Sequence, residues 1–270
     1  MRLWKRLIAV ALAICICLGG LMPAEVSAAA KHKNEWVESN GCYYYYNEKG
    51  KKLKGLQTIG DNTYYFDKKG RQRTGWVQVD DDYYFFNLKN KTNGYMLTQT
   101  TVNSIKIRKN GNAKVTAKNA EKLRLLAAAN ELIFDNTRST MKKSEKLKVM
   151  YTAMAEGNLI TYKNLGSFKK DESNWQEIYA AYMFDNGYGD CYAYACGFAY
   201  IAAALGYEEV YVQSSGGHGW CVIKGKYYDP NWAWWGTDDI EKGYAVPKKL
   251  SGKEGRLNWA DIGKYSKQIS

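Results

Sequence analysis

Histidine is nearly absent from this chain of 270 residues, which has two, His32 and His218. Cysteine is sparse as well, with six residues and no Cys-x-x-Cys pair, so a zinc site of that type has no support. A small disulfide scaffold would be far denser in cysteine. No calcium-loop motif is present, and neither a metal nor a cofactor is expected. There is no long arginine-rich run, which argues against nucleic acid despite a formal net charge of +12. The apolar run near the start, Leu7 to Leu18, is short for a bilayer span.

That run has the layout of an export signal. Arg2, Lys5 and Arg6 precede it, and the small residues Ser27 to Ala30 follow it. Residues 1–30 are therefore expected to be a signal peptide, cleaved near Ala28 to Ala30. No lipoprotein-type Leu-small-small-Cys precedes Cys15 or Cys17, and no transmembrane anchor is expected after cleavage. Losing Arg2, Lys5, Arg6 and Glu25 changes +12 to +10. For an exported protein, the natural counter-charge is an anionic envelope. Cys42, Cys191, Cys196 and Cys221 remain.

What the chain has in abundance is aromatic residues, and they repeat. Trp36, Leu56 and Trp76 stand twenty residues apart. Eight residues after each comes an aromatic triplet: Tyr44-Tyr45-Tyr46, Tyr64-Tyr65-Phe66 and Tyr84-Phe85-Phe86. Gly50 and Gly70 mark the turns beyond. This is the grammar of stacked β-hairpins over 36–97, with the outer aromatics of each triplet on one face and the middle one on the other. Clefts between units that expose Trp36, Tyr44, Tyr45, Tyr64, Tyr65, Trp76 and Tyr84 would suit a quaternary ammonium, by cation–π attraction, or a sugar ring. The alternative is a spacer that holds no ligand.

A linker or edge strand is expected over 98–117, and helical periodicity then begins. Helices are predicted over about 118–134, from a cap at Ser139 or Thr140 to Gly157, and over Trp175 to Phe184. The chemistry sits further on, in Gly187-Tyr-Gly-Asp-Cys191. Asp190 is suited to cap a helix that ends near Leu205. Cys191 would lie in its first turn, where free N–H groups and the helix dipole favour thiolate over thiol. Three strands are predicted next: 209–213, 218–223 and 226–229. A two-residue turn at Lys224-Gly225 would put His218 and Asp229 on one face as diagonal neighbours. A cysteine needs a base, and an acid on the far ring nitrogen fixes that base's tautomer.

Two family resemblances follow from these residues. The three units from Trp36 to about Leu97 resemble the cell-wall-binding repeats, of the choline- and glucan-binding group, in Gram-positive surface proteins. That resemblance implies attachment to teichoic-type polymers or glucans, and a secreted, wall-associated location. From about Ser139 to Trp235 the chain resembles the transglutaminase-like superfamily, through Gly-Asp-Cys191, His218-Gly-Trp220 and Tyr228-Asp229-Pro230-Asn231-Trp232. It implies an α+β, papain-like domain over 118–270, with the cysteine helix packed on an antiparallel sheet. It also implies catalytic Cys191, His218 and Asp229 acting on a peptide or protein amide through a thioacyl intermediate. Trp220, Trp232, Trp234, Trp235 and Tyr188 are candidates for the substrate cleft. Hydrolysis and transfer to an amine share these residues, so the acyl acceptor stays open. A non-catalytic, wall-bound adhesion or scaffold module with a relict triad is the alternative.

Overall fold

The structure is a computed structural model that describes residues 32–236, 239–253, 256–259 and 265–270, apart from the side chains of 234–236. The expected signal peptide, 1–30, lies outside the described residues. His32–Ser270 forms one compact unit.

Its first part is a series of antiparallel hairpins. They are β1 (Glu35–Ser39) with β2 (Cys42–Tyr46), β3 (Gly55–Ile59) with β4 (Asn62–Phe66), and β6 (Gly75–Val79) with β7 (Asp82–Phe86). A short β5 (Gln72–Arg73) extends the second. The segment expected as a linker holds a fourth, smaller hairpin, β8 (Thr101–Val102) with β9 (Ile105–Lys106). Its Ile105, together with Ile107 just beyond it, is buried in the main core.

The second part carries α1 (Ala120–Asn136), α2 (Lys143–Ala155), β10 (Thr161–Tyr162), α3 (Trp175–Asn186), β11 (Tyr188–Gly189) and α4 (Cys191–Ala204). Then come β12 (Val210–Ser214), β13 (Gly219–Ile223), β14 (Lys226–Tyr228), α5 (Pro230–Gly236), β15 (Val246–Pro247) and β16 (Tyr265–Gln268). One antiparallel sheet has the order β15-β14-β13-β12-β16, and α4 packs on β12 and β13. The protein is thus a mixed helix-and-sheet fold bearing β-hairpin repeats.

Three local expectations are corrected. Neither Ser139 nor Thr140 caps α2. Ser139 is committed to the repeats instead: its N–H donates to the Gly41 carbonyl at 2.8 Å, and its carbonyl accepts from Asn90 Nδ2 at 2.7 Å. The helix starts one turn later, where the Glu145 carboxylate accepts from the Lys142 N–H. The apolar stripe expected on α4 is in fact burial on every side from Tyr192 to Ala204, because the sheet covers one flank and α1 and α3 cover others. Finally, Pro230 does more than stop β14. It opens α5 at the first helical position, where a missing N–H costs nothing.

The repeats are bound into this fold rather than hung on it. Trp76 and Phe85 belong to the same core as α1 and α4. Asn130 of α1, buried, donates Nδ2 to the carbonyls of Thr74 and Trp76 at 2.8 and 2.9 Å. Arg73 makes a two-point contact with Glu131 and lies over the Phe134 ring. Gly75 has φ of +80°, and a Cβ there would meet Asn130 Oδ1 at 2.5 Å, so the approach of β6 to α1 requires glycine.

Candidate active site

Each candidate side chain is set by local chain chemistry. Gly187, at φ +67°, ends α3 in the left-handed region and turns the chain into β11. Asp190 then caps α4, its Oδ1 accepting from the N–H groups of Tyr192 and Ala193 at 3.0 and 3.3 Å. Burial pushes the Asp190 carboxyl up, while N–H groups of Ala193, Tyr192 and Leu165 pull it back. Cys191 follows as the first residue of the helix, half-buried, with a free thiol.

His218 comes from a tight turn in front of β13. The Ser215 hydroxyl accepts from the His218 N–H at 3.1 Å, the Ser215 N–H donates to the His218 carbonyl at 3.1 Å, and Gly216 takes φ of +93° between them. Asp229 comes from the end of β14. The register Val222↔Tyr227 is the one expected for a two-residue turn. Lys224 and Gly225, at φ +48° and +71°, make that turn.

The result is a linked set. His218 Nε2 lies 2.6 Å from Asp229 Oδ2. The Cys191 side chain is close enough to act on the same ring and raise its proton affinity. With Nε2 committed to Asp229, Nδ1 is the ring nitrogen left for the sulfur. Burial of the ring disfavours the imidazolium. The Asp229 carboxylate and the contact with Cys191 outweigh it, and His218 is raised to about 10. At neutral pH the imidazole therefore carries its proton. Cys196 and Cys221 differ: both are completely buried, which pushes their thiols well above the ordinary range.

Asp229 is held on all sides. It is only 1 % exposed, its N–H donates to the Gly243 carbonyl at 2.8 Å, and its carbonyl accepts from Tyr151 Oη. Its Oδ1 caps α5 by accepting from the Trp232 N–H at 2.9 Å. Its Oδ2 accepts from Trp259 Nε1 at 2.9 Å as well as facing His218. The sequence reading missed both Trp259 and α5. A Pro one residue after an Asp was the signal for α5; nothing local marks Trp259.

Other expected site residues separate into two groups. Trp220 is not a cleft wall. It is fully buried in a second apolar cluster with Val222, Tyr227, Val246 and Trp259, because β13 turns it to the sheet face opposite α4. Trp232 and Tyr188 stay half-buried, and the side chains of Trp234 and Trp235 lie outside the described ones. In the repeats, Tyr64 and Trp76 are 2 % and 1 % exposed and present no open face. Stacking of successive hairpins covers them, Tyr64 Oη donating to the Thr92 carbonyl and Trp76 Nε1 to Asn103 Oδ1. Tyr44 is buried too, with the Lys52 ammonium 3.5 Å above its ring. Trp36, Tyr45, Tyr65 and Tyr84 remain half-buried, Trp36 meeting Tyr45 edge-on at 5.3 Å.

Among the described residues, no group of three or more His, Cys, Asp or Glu is placed to hold a metal ion. Among them, too, no helix is long and apolar enough to cross a membrane.

Comparison with known proteins bears on the repeats. Residues 53–100 match the choline-binding repeat family. No curated protein matches the chain. Among solved structures, the choline-binding domain of Spr1274 in Streptococcus pneumoniae is similar at 25% identity and a TM-score of 0.28, covering 32% of this chain and 99% of that one. Choline binding protein F from S. pneumoniae, solved in the presence of a peptidoglycan analogue, is similar at 26% identity and a TM-score of 0.27, covering 30% of this chain and 26% of that one. The modular autolysin LytC of S. pneumoniae, in complex with a synthetic peptidoglycan ligand, is similar at 22% identity and a TM-score of 0.26, covering 30% and 19%. The matched region is thus nearly all of the first but only about a quarter and a fifth of the other two. The family match is to the repeat region, where residues 53–100 are similar to choline-binding repeats.

Proposed function

We propose that this protein is an exported, wall-associated cysteine enzyme of transglutaminase-like type that opens peptide or protein amides. The observation that carries the reading is the pairing of His218 Nε2 with Asp229 Oδ2 at 2.6 Å, with Cys191, on the first turn of α4, acting on the same ring. The packing of the cysteine helix on an antiparallel sheet is consistent with a papain-like core.

The chemistry follows from the side chains. The Cys191 thiolate, paired with the His218 imidazolium, adds to the carboxamide carbon. The carbonyl π electrons move to oxygen, and the backbone N–H of Cys191, the one at the start of α4 that Asp190 does not take, stabilises that charge. His218 gives its proton to the leaving nitrogen, the C–N bond breaks, and a thioester to Cys191 remains. Water or an amine then adds to the thioester as His218 takes back a proton, and collapse releases the thiolate. Asp229 holds the ring and its charge throughout. Hydrolysis is favoured slightly over transfer, since nothing marks a site for an acceptor amine.

Wall attachment would come through the choline-binding repeats, in a teichoic-type polymer or a glucan. A second reading of the repeats is favoured by the Lys52 ammonium over Tyr44 and by the burial of Tyr64 and Trp76. In that reading the hairpins are a structural wing of the enzyme and hold no ligand.

Incubation of envelope peptides with the wild type and with Cys191→Ala, read by mass spectrometry, tests the enzyme reading. New termini indicate a peptidase, a one-dalton gain a deamidase, and isopeptide links a cross-linking enzyme. Identical peptides from both proteins would leave the non-catalytic adhesion or scaffold reading in its place.

A further inference from the structure

Resting on the cysteine-enzyme reading of the Cys191–His218–Asp229 set, we infer that Trp259 is a positioning residue of the site: its indole N–H fixes the carboxylate oxygen of Asp229 that orients His218. The two donors to Oδ2 arrive from separate parts of the chain. His218 Nε2, from the turn before β13, lies at 2.6 Å, and Trp259 Nε1, thirty residues beyond Asp229, lies at 2.9 Å. The Trp232 N–H holds Oδ1 at 2.9 Å. With three donors in three directions, the carboxylate cannot rotate about its Cβ–Cγ bond without breaking at least one hydrogen bond. The lone pair aimed at His218 therefore keeps its direction, and with it Nδ1 keeps its aim at Cys191.

Trp259 is itself well fixed. It is 1 % exposed and stacks on Tyr227 with the rings 6.1 Å apart and 20° from parallel. Its backbone N–H donates to Ser251 Oγ at 2.7 Å. Apolar packing alone would leave a buried indole N–H unsatisfied, which is costly. Here that N–H is directed at the buried carboxylate that faces His218. Such an outer partner sets the orientation of a working group without touching substrate. Among the described residues, the titratable groups facing His218 are Asp229 and Cys191. Tyr151 of α2 reaches Asp229 only at its main-chain carbonyl.

The test is Trp259→Phe in the full chain, which keeps a ring against Tyr227 and deletes the N–H. The readout is alkylation of Cys191 by iodoacetate across pH, which needs no knowledge of the substrate. An anionic reagent reports the imidazolium beside the thiolate, so the alkaline limb of the profile follows His218. In the variant the carboxylate is freed, the limb moves to lower pH, and the rate at neutral pH falls about tenfold. An unchanged or raised limb, with a rate within about twofold of wild type, overturns the inference and leaves Trp259 as packing. If Trp259→Phe does not fold, the wild-type Nε1–H resonance of Trp259 decides. It shifts on Asp229→Asn if the bond exists in solution, and stays put if it does not. Failure of amide turnover with an intact alkylation response would sink the enzyme reading and leave the Trp259 inference standing.

Discussion

Gly219 of β13 lies directly against Tyr192 of α4. A Cβ at residue 219 would sit 2.8 Å from Tyr192 Cδ1 and 3.4 Å from its Cα. The strand that begins just after His218 reaches the helix carrying Cys191 only because residue 219 has no side chain. Gly219→Ala is expected to cost about 1–3 kcal/mol by overpacking. It is also expected to slow Cys191 alkylation, because β13 must back away from α4. Urea denaturation and the alkylation rate check both effects.

Asp190 does not touch the reacting atoms in the proposed chemistry, but it sets where the Cys191 helix begins. Asp190→Ala removes the acceptor for two helix N–H groups and is expected to cost about 1–2 kcal/mol. Asp190→Asn keeps an acceptor and is expected to cost distinctly less. Equal losses in urea midpoints for the two variants would mean that the cap is not what matters there.

The raised proton affinity of His218 ties stability to pH with a definite sign. The folded chain holds this proton more tightly than the unfolded one does. The stabilisation is therefore complete below the ordinary imidazole value of 6.5 and fades as pH rises through about 10. Asp229→Asn removes the main source of that affinity. The stability gap between wild type and Asp229→Asn is expected to be widest near pH 6 and to narrow steadily towards pH 10. Denaturant titrations at several pH values measure it, and a gap that widens with pH would contradict the pairing.

Trp76 sits at a position where a wall ligand was expected, yet it behaves as core. Trp76→Ala is expected to cost about 3–5 kcal/mol and to lower activity by unfolding the protein. The same substitution at Trp36, which is half-buried, is expected to cost much less. Thermal melts of the two variants compare them directly.

Lys52 occupies the ring face of Tyr44 that an external cation would need. If that is why the face is closed, Lys52→Ala opens it. Choline binding, followed by calorimetry, is then expected to strengthen in the variant. No change would mean that Lys52 is not what closes that face.

Much of this was legible in the sequence because it is local. The twenty-residue period marked the first three hairpins. Gly-Asp-Cys191 marked the capped helix start, and Lys224-Gly225 gave the register that brings His218 to Asp229. Each rests on interactions within a few residues: a cap, a turn with φ > 0, the alternation of a strand. The tertiary structure decided what distance along the chain conceals. It turned Tyr64, Trp76 and Trp220 from candidate ligand faces into core, since burial depends on what arrives from elsewhere to cover a side chain. It drew 98–117 into the core and joined the hairpins to α1 through Asn130 and Arg73. It also brought Trp259 to Asp229, a contact no spacing announces, because a buried carboxylate and a buried indole N–H find each other only when the chain closes around both.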